Sequence, residues 1–251
     1  MRILDELIDS LPGKDTPVRQ VCAGAFWTAV TTRSTGLAST YRELGHQHGD
    51  RPSTVKEAGE LIGKRASELA GYARSDETVE ASIGMATINS LLEVEESKCI
   101  ERGAFDVLAE RGRGRNIAVV GHFPFVSRLR ELARNLWVIE KHLHPGDHPE
   151  SDAPRILPQC EVVCLTGTTL INHTTEKLLS LCKGSFVVLT GPTSPLAPVL
   201  FEFGIDAICG TRVTDADEVI RFVSQGANFQ QLRGHGVKLL TLAKQALTQM
   251  D

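Results

Sequence analysis

The sequence predicts an α/β protein in two parts: an α+β unit over residues 1–105, then a doubly wound parallel sheet over residues 106–251. Three observations predict it. The second half alternates strand-like runs with helical segments, the pattern of crossover units in a parallel sheet. Those runs are nearly continuous in apolar residues, as in strands covered on both faces. The first half mixes amphipathic helical segments with a β-branched stretch and lacks that alternation. A chain of 251 residues suits one large or two small domains, at roughly 150 residues each.

Taken in order, MRILDELIDSL carries apolar residues at 3, 4, 7, 8 and 11, a helical period that Pro12-Gly13 stops. VRQVCAGAFWTAVTT (18–32) is β-branched and aromatic, with Gly24 inside it, and reads as two short strands or one bent strand. RSTGLASTYRELGHQHGDRPST (33–54) reads as turn-rich. STVKEAGELIGKRASELAG (53–71) reads as a helix with a Ser/Thr cap and Glu57. SDETVEASIGMATINSLLE (75–93) reads as a helix capped by Ser75 or Asp76 that buries Val79, Ile83, Ala86 and Ile88. Gly84 inside it costs about 1 kcal/mol relative to Ala, which close approach to the second unit would explain. The break is expected near Glu101–Gly114, where ERGRGR is charged and reads as flexible. Strands are then expected at NIAVVG (116–121), LWVIE (136–140), EVVCLTG (161–167), SFVVLTG (185–191) and IDAICG (205–210). Helices are expected between them, at FVSRLRELAR (125–134), TLINHTTEKLLSLC (169–182) and ADEVIRFVSQG (216–226).

Composition removes several function classes. Hydrophobic residues make up 41% and charged residues 23%, enough for a core and against a disordered chain. Basic residues number 27 and acidic residues 31, a net charge of −4, so a nucleic-acid binder is not expected. No apolar run approaches the roughly 18 residues of a membrane span, so no membrane partner is expected. Asp5, Glu6 and Asp9 make the N-terminus unlike a signal peptide, and a cytoplasmic protein is expected. The cysteines at 22, 99, 160, 164, 182 and 209 form no CxxC pair; most sit in apolar runs and read as buried thiols.

Ligands of doubly wound sheets bind at the carboxyl ends of the strands, so those ends carry the functional reading. AVVGHFPF offers only Gly121 where a dinucleotide fingerprint needs three glycines, and Phe123 makes the turn bulky. An ordinary NAD site is therefore not expected. Glu140 lies 140 − 121 = 19 residues after Gly121, near the spacing of the acidic residue that grips a ribose hydroxyl. KHLHPGDHPE places His142, His144 and His148 beside Asp147 and Glu150. Imidazole and carboxylate suit a divalent transition metal, although the spacing matches no closed zinc pattern and a solvated histidine-rich loop reads the same way. His46 and His48 in GHQHGD have the same standing. CLTGTTLINHTT sets Thr168 and Thr169 at a helix start, where backbone amides attract anions and hydroxyls cap. GPTSP supplies a second hydroxyl-rich loop with Thr193 and Ser194. No GxSxG elbow and no GxxxxGK[ST] loop is present.

Several of these pieces together resemble a bacterial and archaeal family of heavy-metal chelation proteins. They are IGMATINS (83–90), VVGHFP (119–124), VIE (138–140) with PGDHP (145–149), ILPQCEVVCLTGTTLINHT (156–174) and GPTSPLAPVLFEFG (191–204). VCAGAFWTAV and STGLAST match the family's first domain. The resemblance implies an N-terminal α+β domain similar to that of enolases (1–105), followed by a Rossmann-like domain (106–251), with the active site between them. Carried over, the catalytic candidates are Asn89, His122, Glu140 and Asp147. The ligand- or cofactor-binding candidates are Gly121, Phe123, Thr168, Thr169, Asn172, Thr193 and Ser194, with Pro124 beside them. His142, His144 and His148 are additions to the family pattern and the metal candidates. The implied role is making or handling metal-chelating molecules related to pterins, flavins or siderophores.

Two functions follow. In the first, the protein is an enzyme, a transferase or hydrolase of metal-chelator biosynthesis. It acts on a small polar heterocycle by condensation, hydrolysis or group transfer. Glu140 or Asp147 would fix a hydroxyl or act as base, His122 would move a proton, and the threonine loops would hold an anionic group. In the second, it is a non-catalytic metal or metallophore carrier that uses His142, His144, His148 and Asp147. The partner in both is a small-molecule ligand or metal chelator, and both are compatible with a homo-oligomer. Enolase chemistry is not expected, since fold likeness does not transfer chemistry.

Overall fold

The computed structural model describes residues 1–13, 15–41 and 55–245. His46 and His48 lie outside the described residues. The chain opens with α1 (Arg2–Asp9), whose Ile3, Leu4, Leu7 and Ile8 face inward, as their spacing predicts. An antiparallel sheet follows, made of β1 (Gln20–Ala23), β2 (Trp27–Thr31) and β3 (Thr35–Ser39). STGLAST is therefore a strand rather than a turn: the Thr and Ser that suggest a loop pair across to β2, from Thr31↔Thr35 to Trp27↔Ser39. Of the long helix read over 53–71, the described part is turns followed by the short α2 (Ala66–Gly71).

The buried helix of this half is α3 (Thr78–Leu91). Eleven of its 14 residues are buried, so it is enclosed on nearly all sides rather than along one stripe. Its N-cap is Glu77, and the Ser75 hydroxyl accepts the Glu77 N–H at 3.1 Å instead of capping the helix directly. Gly84 does mark a close approach, but to Tyr72 and Ala73 of the same half rather than to the second unit.

The segment read as a flexible break is ordered. After β4 (Cys99–Ile100), α4 runs over Ala104–Gly112, buries Val107 and Leu108, and receives Asp106 back onto the Gly103 N–H at 3.3 Å. The alternating half then runs β5 (Asn116–Val120), α5 (Val126–Leu132), β6 (Asn135–Ile139) and α6 (Ala153–Ile156). It continues with β7 (Val162–Thr166), α7 (Thr168–Ile171), α8 (Thr175–Leu181), β8 (Phe186–Thr190) and β9 (Ala207–Val213). It ends with α9 (Ala216–Ser224), α10 (Phe229–Leu232) and β10 (Val237–Ala243).

These strands form one sheet in the order β4-β10-β9-β8-β7-β5-β6. The five from β9 to β6 are parallel, while β10 and β4 close one edge antiparallel. Alternate residues of each strand serve opposite faces. Ile117, Val119, Val162, Cys164 and Val188 pack with Val107 and Leu108 of α4 and Leu129 of α5. Ala118, Val163, Leu165, Val187 and Leu189 pack with the core that includes α1, α3 and α8. Both faces are covered, which is why the strands read as continuous apolar runs. Chain order reverses between β5 and β7: from β5 the sheet grows outward to β6 on one side and to β7, β8 and β9 on the other. That reversal parts the loops leaving β5 and β7 and opens a crevice at their carboxyl ends.

Among the described residues, no helix is long and apolar enough to cross a membrane. All six cysteines are free thiols, four of them buried.

Candidate functional site

The strand ends are built alike. Gly121 after β5 donates its N–H to Ile139 of β6 at 2.9 Å, Gly167 after β7 to Thr190 of β8 at 2.8 Å, and Gly191 after β8 to Cys209 of β9 at 3.0 Å. Each N–H closes the last rung of its neighbour and turns the chain off the sheet. At Gly121 the turn has φ +103°, and a Cβ there would sit 3.1 Å from the Thr166 side chain and 3.2 Å from the Phe123 ring. Glycine is thus required both by conformation and by space.

Beside Gly121, at the reversal of strand order, lies a cleft of about 240 Å³. Seven sequence-predicted residues line it: Gly121, His122, Phe123, Glu140, Thr168, Thr169 and Asn172. They come together because β5, β6 and β7 are neighbours, although they span 52 positions from 121 to 172. Tyr41, which follows β3, is the only lining residue among those described that comes from the first 105.

The hydroxyls on the β7 side are largely committed to each other. Thr166 and Thr168 share a hydrogen bond at 3.0 Å. Thr169 donates to the Thr166 carbonyl at 2.8 Å and accepts from Thr175 at 2.9 Å. Asn172 Oδ1 accepts from the Thr174 hydroxyl at 2.7 Å, so what it has left for a ligand is its amide N–H donors. On the β6 side, Glu140 accepts the Lys141 N–H at 2.7 Å. The loop after β6 then folds back along that strand: the His148 N–H reaches Val138 at 2.7 Å, and the Glu140 N–H reaches His148 at 2.9 Å.

This return delivers Asp147 to His122. His122 Nδ1 lies 3.2 Å from Asp147 Oδ2, and the same oxygen accepts the His144 N–H at 3.1 Å. The Asp147 side chain is 3% exposed, against 39% for His122. Asp147 therefore supports the cleft from behind His122 and does not line it.

The other candidates are placed elsewhere. Asn89 Nδ2 donates to the Leu37 carbonyl at 2.7 Å and to Pro192 at 3.2 Å, and it borders a second cleft of about 320 Å³ beside Thr211 and Arg212. Thr193 Oγ1 accepts the Ser39 N–H at 2.9 Å, which ties the β8 loop to β3. Ser194 is 2% exposed and its hydroxyl has no hydrogen-bond partner among the described residues. Asn89 and Thr193 thus fasten the joint between the two halves rather than line the first cleft, and Ser194 is buried against Gly167 and Gly210 of its own half. His142, His144 and His148 do not converge either. His142 is exposed, the His144 ring packs on His122 at 4.6 Å, and His148 Nδ1 faces Asp152 at 3.2 Å. Tyr41, Lys141, Thr166 and Thr174 line the cleft and were missed, and Glu150, read only as a neighbour of the histidines, lines it too. Lys141 and Thr166 each adjoin a predicted residue at a strand end, the one signal that could have found them.

Whether a bare heavy-metal ion fits can be judged from the donors. Soft metals favour thiolate. Burial pushes the Cys160 thiol up to about 11, Cys182 and Cys209 up to about 12, and Cys164 well above the ordinary range. All four are thus protonated near neutral pH, and thiols are poor ligands in that form. Among the described residues, no group of three or more His, Cys, Asp and Glu side chains is placed to hold an ion. A closed, protein-only metal site does not fit them.

The protein is thus a mostly parallel α/β protein with a polar cleft at its reversal point, the position where open α/β sheets bind ligands. The chain belongs to the family described as "Putative heavy-metal chelation", whose models match residues 4–92 and 103–241. It is 28% identical over 214 residues to an uncharacterized protein of Methanocaldococcus jannaschii, covering 82% of this chain and 80% of that one. A crystal structure of a DUF364-family protein of unknown function from Desulfitobacterium hafniense is similar with a TM-score of 0.83 and 28% identity, covering 97% of this chain and 98% of that one. A second, from Pyrococcus horikoshii, has the same fold at a TM-score of 0.79 and 18% identity, covering 96% and 98%.

Proposed function

We propose that this protein binds a small polar organic molecule bearing metal-chelating oxygen and nitrogen groups, in the cleft at the ends of β5, β6 and β7. On this reading it acts on that molecule by condensation, hydrolysis or group transfer. A metal ion arrives, where one is involved, as cargo already held by the chelator. The observation that carries the proposal is the lining of the cleft. The Asn172 amide, the Thr166–Thr168 hydroxyl pair, Glu140, Lys141 and His122 meet there at the position where open α/β sheets bind ligands. This donor and acceptor set suits a polar molecule, whereas the described residues offer no coordination sphere for a free ion.

The test is thermal unfolding of the metal-stripped protein against two panels. One holds divalent transition metals as simple salts. The other holds metal-free and metal-loaded chelators of the pterin, flavin and siderophore types. A ligand at 100 times its dissociation constant stabilises by about 2.7 kcal/mol, a midpoint rise of roughly 5–10 °C at this chain length. The expected result is a rise of that size with a chelator and none with the salts. An equal rise with a salt alone would refute the proposal.

A further inference from the structure

We infer that His122 Nε2 is the proton-accepting atom of this cleft and that Asp147 is the residue that positions it. The inference rests on reading the cleft as a ligand site. It concerns the chemistry done there rather than which molecule enters.

Three observations carry it. First, the Asp147 carboxylate is 3% exposed and lies 3.2 Å from His122 Nδ1. An ionised carboxylate only accepts hydrogen bonds, so the shared proton sits on Nδ1. The neutral ring is then held in the tautomer whose free lone pair is on Nε2. Second, Asp147 is itself fixed by a second donor, the His144 N–H at 3.1 Å, and the His144 ring packs against His122 at 4.6 Å with the planes 47° apart. The imidazole is therefore held on two sides. Third, His122 directly follows the Gly121 turn at the reversal of strand order and lines the cleft, and its side chain remains 39% exposed. A buried carboxylate, an oriented imidazole and an accessible second nitrogen are the parts of a general base with its orienting group.

The same geometry separates roles that the sequence left open. Asp147 is not the base, because its side chain is buried behind His122, accepts the His144 N–H and does not line the cleft. Glu140 holds the backbone of its own turn through the Lys141 N–H. The step assigned to His122 is a proton transfer alone. An O–H or N–H bond of the ligand breaks, its electron pair stays on that oxygen or nitrogen, and the proton bonds to Nε2. The positive charge that develops on the ring lies against the Asp147 carboxylate, and the proton returns by the reverse path.

The test needs no ligand, so its result is independent of the panel experiment. Long-range ¹H–¹⁵N correlation spectra of the full chain, labelled at histidine, report which ring nitrogen of His122 carries the proton when the ring is neutral. The expected spectrum has Nδ1 protonated and Nε2 bare. Alkylation with iodoacetamide should place the His122 adduct on Nε2 at least tenfold over Nδ1. In Asp147→Asn, the tautomers should mix and the adduct should divide between the two nitrogens. His144→Ala removes the packed ring while leaving the carboxylate, and should keep the wild-type tautomer. A wild-type His122 protonated on Nε2, or alkylated chiefly on Nδ1, overturns the inference without recourse to any variant. Retention of the wild-type tautomer in a folded Asp147→Asn overturns the role of Asp147.

Discussion

Gly84→Ala is a substitution that helix propensity says should stabilise and that the packing of α3 says should not. Alanine in a helix interior is favoured over glycine by about 1 kcal/mol. A Cβ at Gly84, however, would lie 2.0 Å from the Ala73 backbone nitrogen and 2.6 Å from Ala73 Cα and the Tyr72 carbonyl carbon. Ordinary contact begins near 3.4 Å, so helix and turn must part by 3.4 − 2.0 = 1.4 Å. The helix has no slack in the other direction. Gly36 of β3 packs so closely on it that a Cβ there would lie 2.1 Å from the Ala86 carbonyl oxygen, and residue 86 is about 200° around the helix from residue 84. Overpacking of this kind costs about 3 kcal/mol or more, so the net loss is about 2 kcal/mol and the midpoint falls by roughly 4–8 °C. Gly71→Ala is the matched control. Gly71 ends α2 at φ −60°, and the nearest atom to its new Cβ would be Arg74 Nη1 at 4.0 Å. It should leave the midpoint unchanged or raise it by a few degrees. Thermal unfolding of both variants beside the wild type decides the matter. A Gly84→Ala protein that melts at or above the wild-type temperature would refute the close-approach reasoning.

Two further expectations concern residues that resemblance marks as ligand-binding and buried groups that burial keeps neutral. Thr193→Val should lower stability by about 1–3 kcal/mol, because the Ser39 N–H loses its 2.9 Å acceptor in a part-buried joint, whereas Ser194→Ala should change it by less than about 0.5 kcal/mol, since that hydroxyl has no partner to lose among the described residues. Urea unfolding of the pair would contradict this if the two variants lost equal stability. The thiols of Cys182 and Cys209 are pushed by burial from 9.0 up to about 12, so the unfolded chain releases their protons first as pH rises. Their contribution is whole below pH 9 and drains between there and about 12, at about 1.4 kcal/mol per pH unit for each thiol. Urea midpoints at pH 8, 9 and 10 should therefore fall, and Cys209→Ala should flatten the fall; a pH-independent midpoint would contradict the burial.

The parallel strands were legible because each is a short apolar run buried on both faces, so Ile117 to Val120 or Val162 to Leu165 needs no alternation to be recognised. β3 was not legible. Thr35, Gly36 and Ser39 carry turn chemistry, and what makes them a strand is pairing with Val30 and Trp27, together with the close seat of Gly36 under α3. α4 was hidden by the charges of ERGRGR, since its apolar face is only Val107 and Leu108 with Ala104. β10 was missed although VKLLTLA is strand-like, because it comes last in the chain and crosses back antiparallel to β9. Local propensity carries little information about such long-range pairing, which sets β10 between β4 and β9.

The site divides along the same line. Gly121, Thr168 and Glu140 could be found because strand ends are where ligands bind, a rule that needs only the positions of the strands. Asp147 needed more, because its partnership with His122 spans 25 positions and exists only since the loop after β6 folds back along Val138. Asn89 and Thr193 illustrate the reverse case. Asn89 was read as a catalytic candidate and Thr193 as a ligand contact, and their polar atoms satisfy the Leu37 carbonyl and the Ser39 N–H on the outer edge of β3. An unpaired sheet edge buried against another layer needs donors and acceptors as surely as a ligand does. Polar residues recurring at such a joint are therefore no guide to chemistry until their partners are known. The histidines after β6 follow this logic as well. Their crowding in sequence suggested a metal, but His148 belongs to the edge of β6, His142 to the surface, and His144 to the support of His122. The imidazole with a chemical task on this reading is the one outside the cluster, made distinctive by the carboxylate the cluster brings to it.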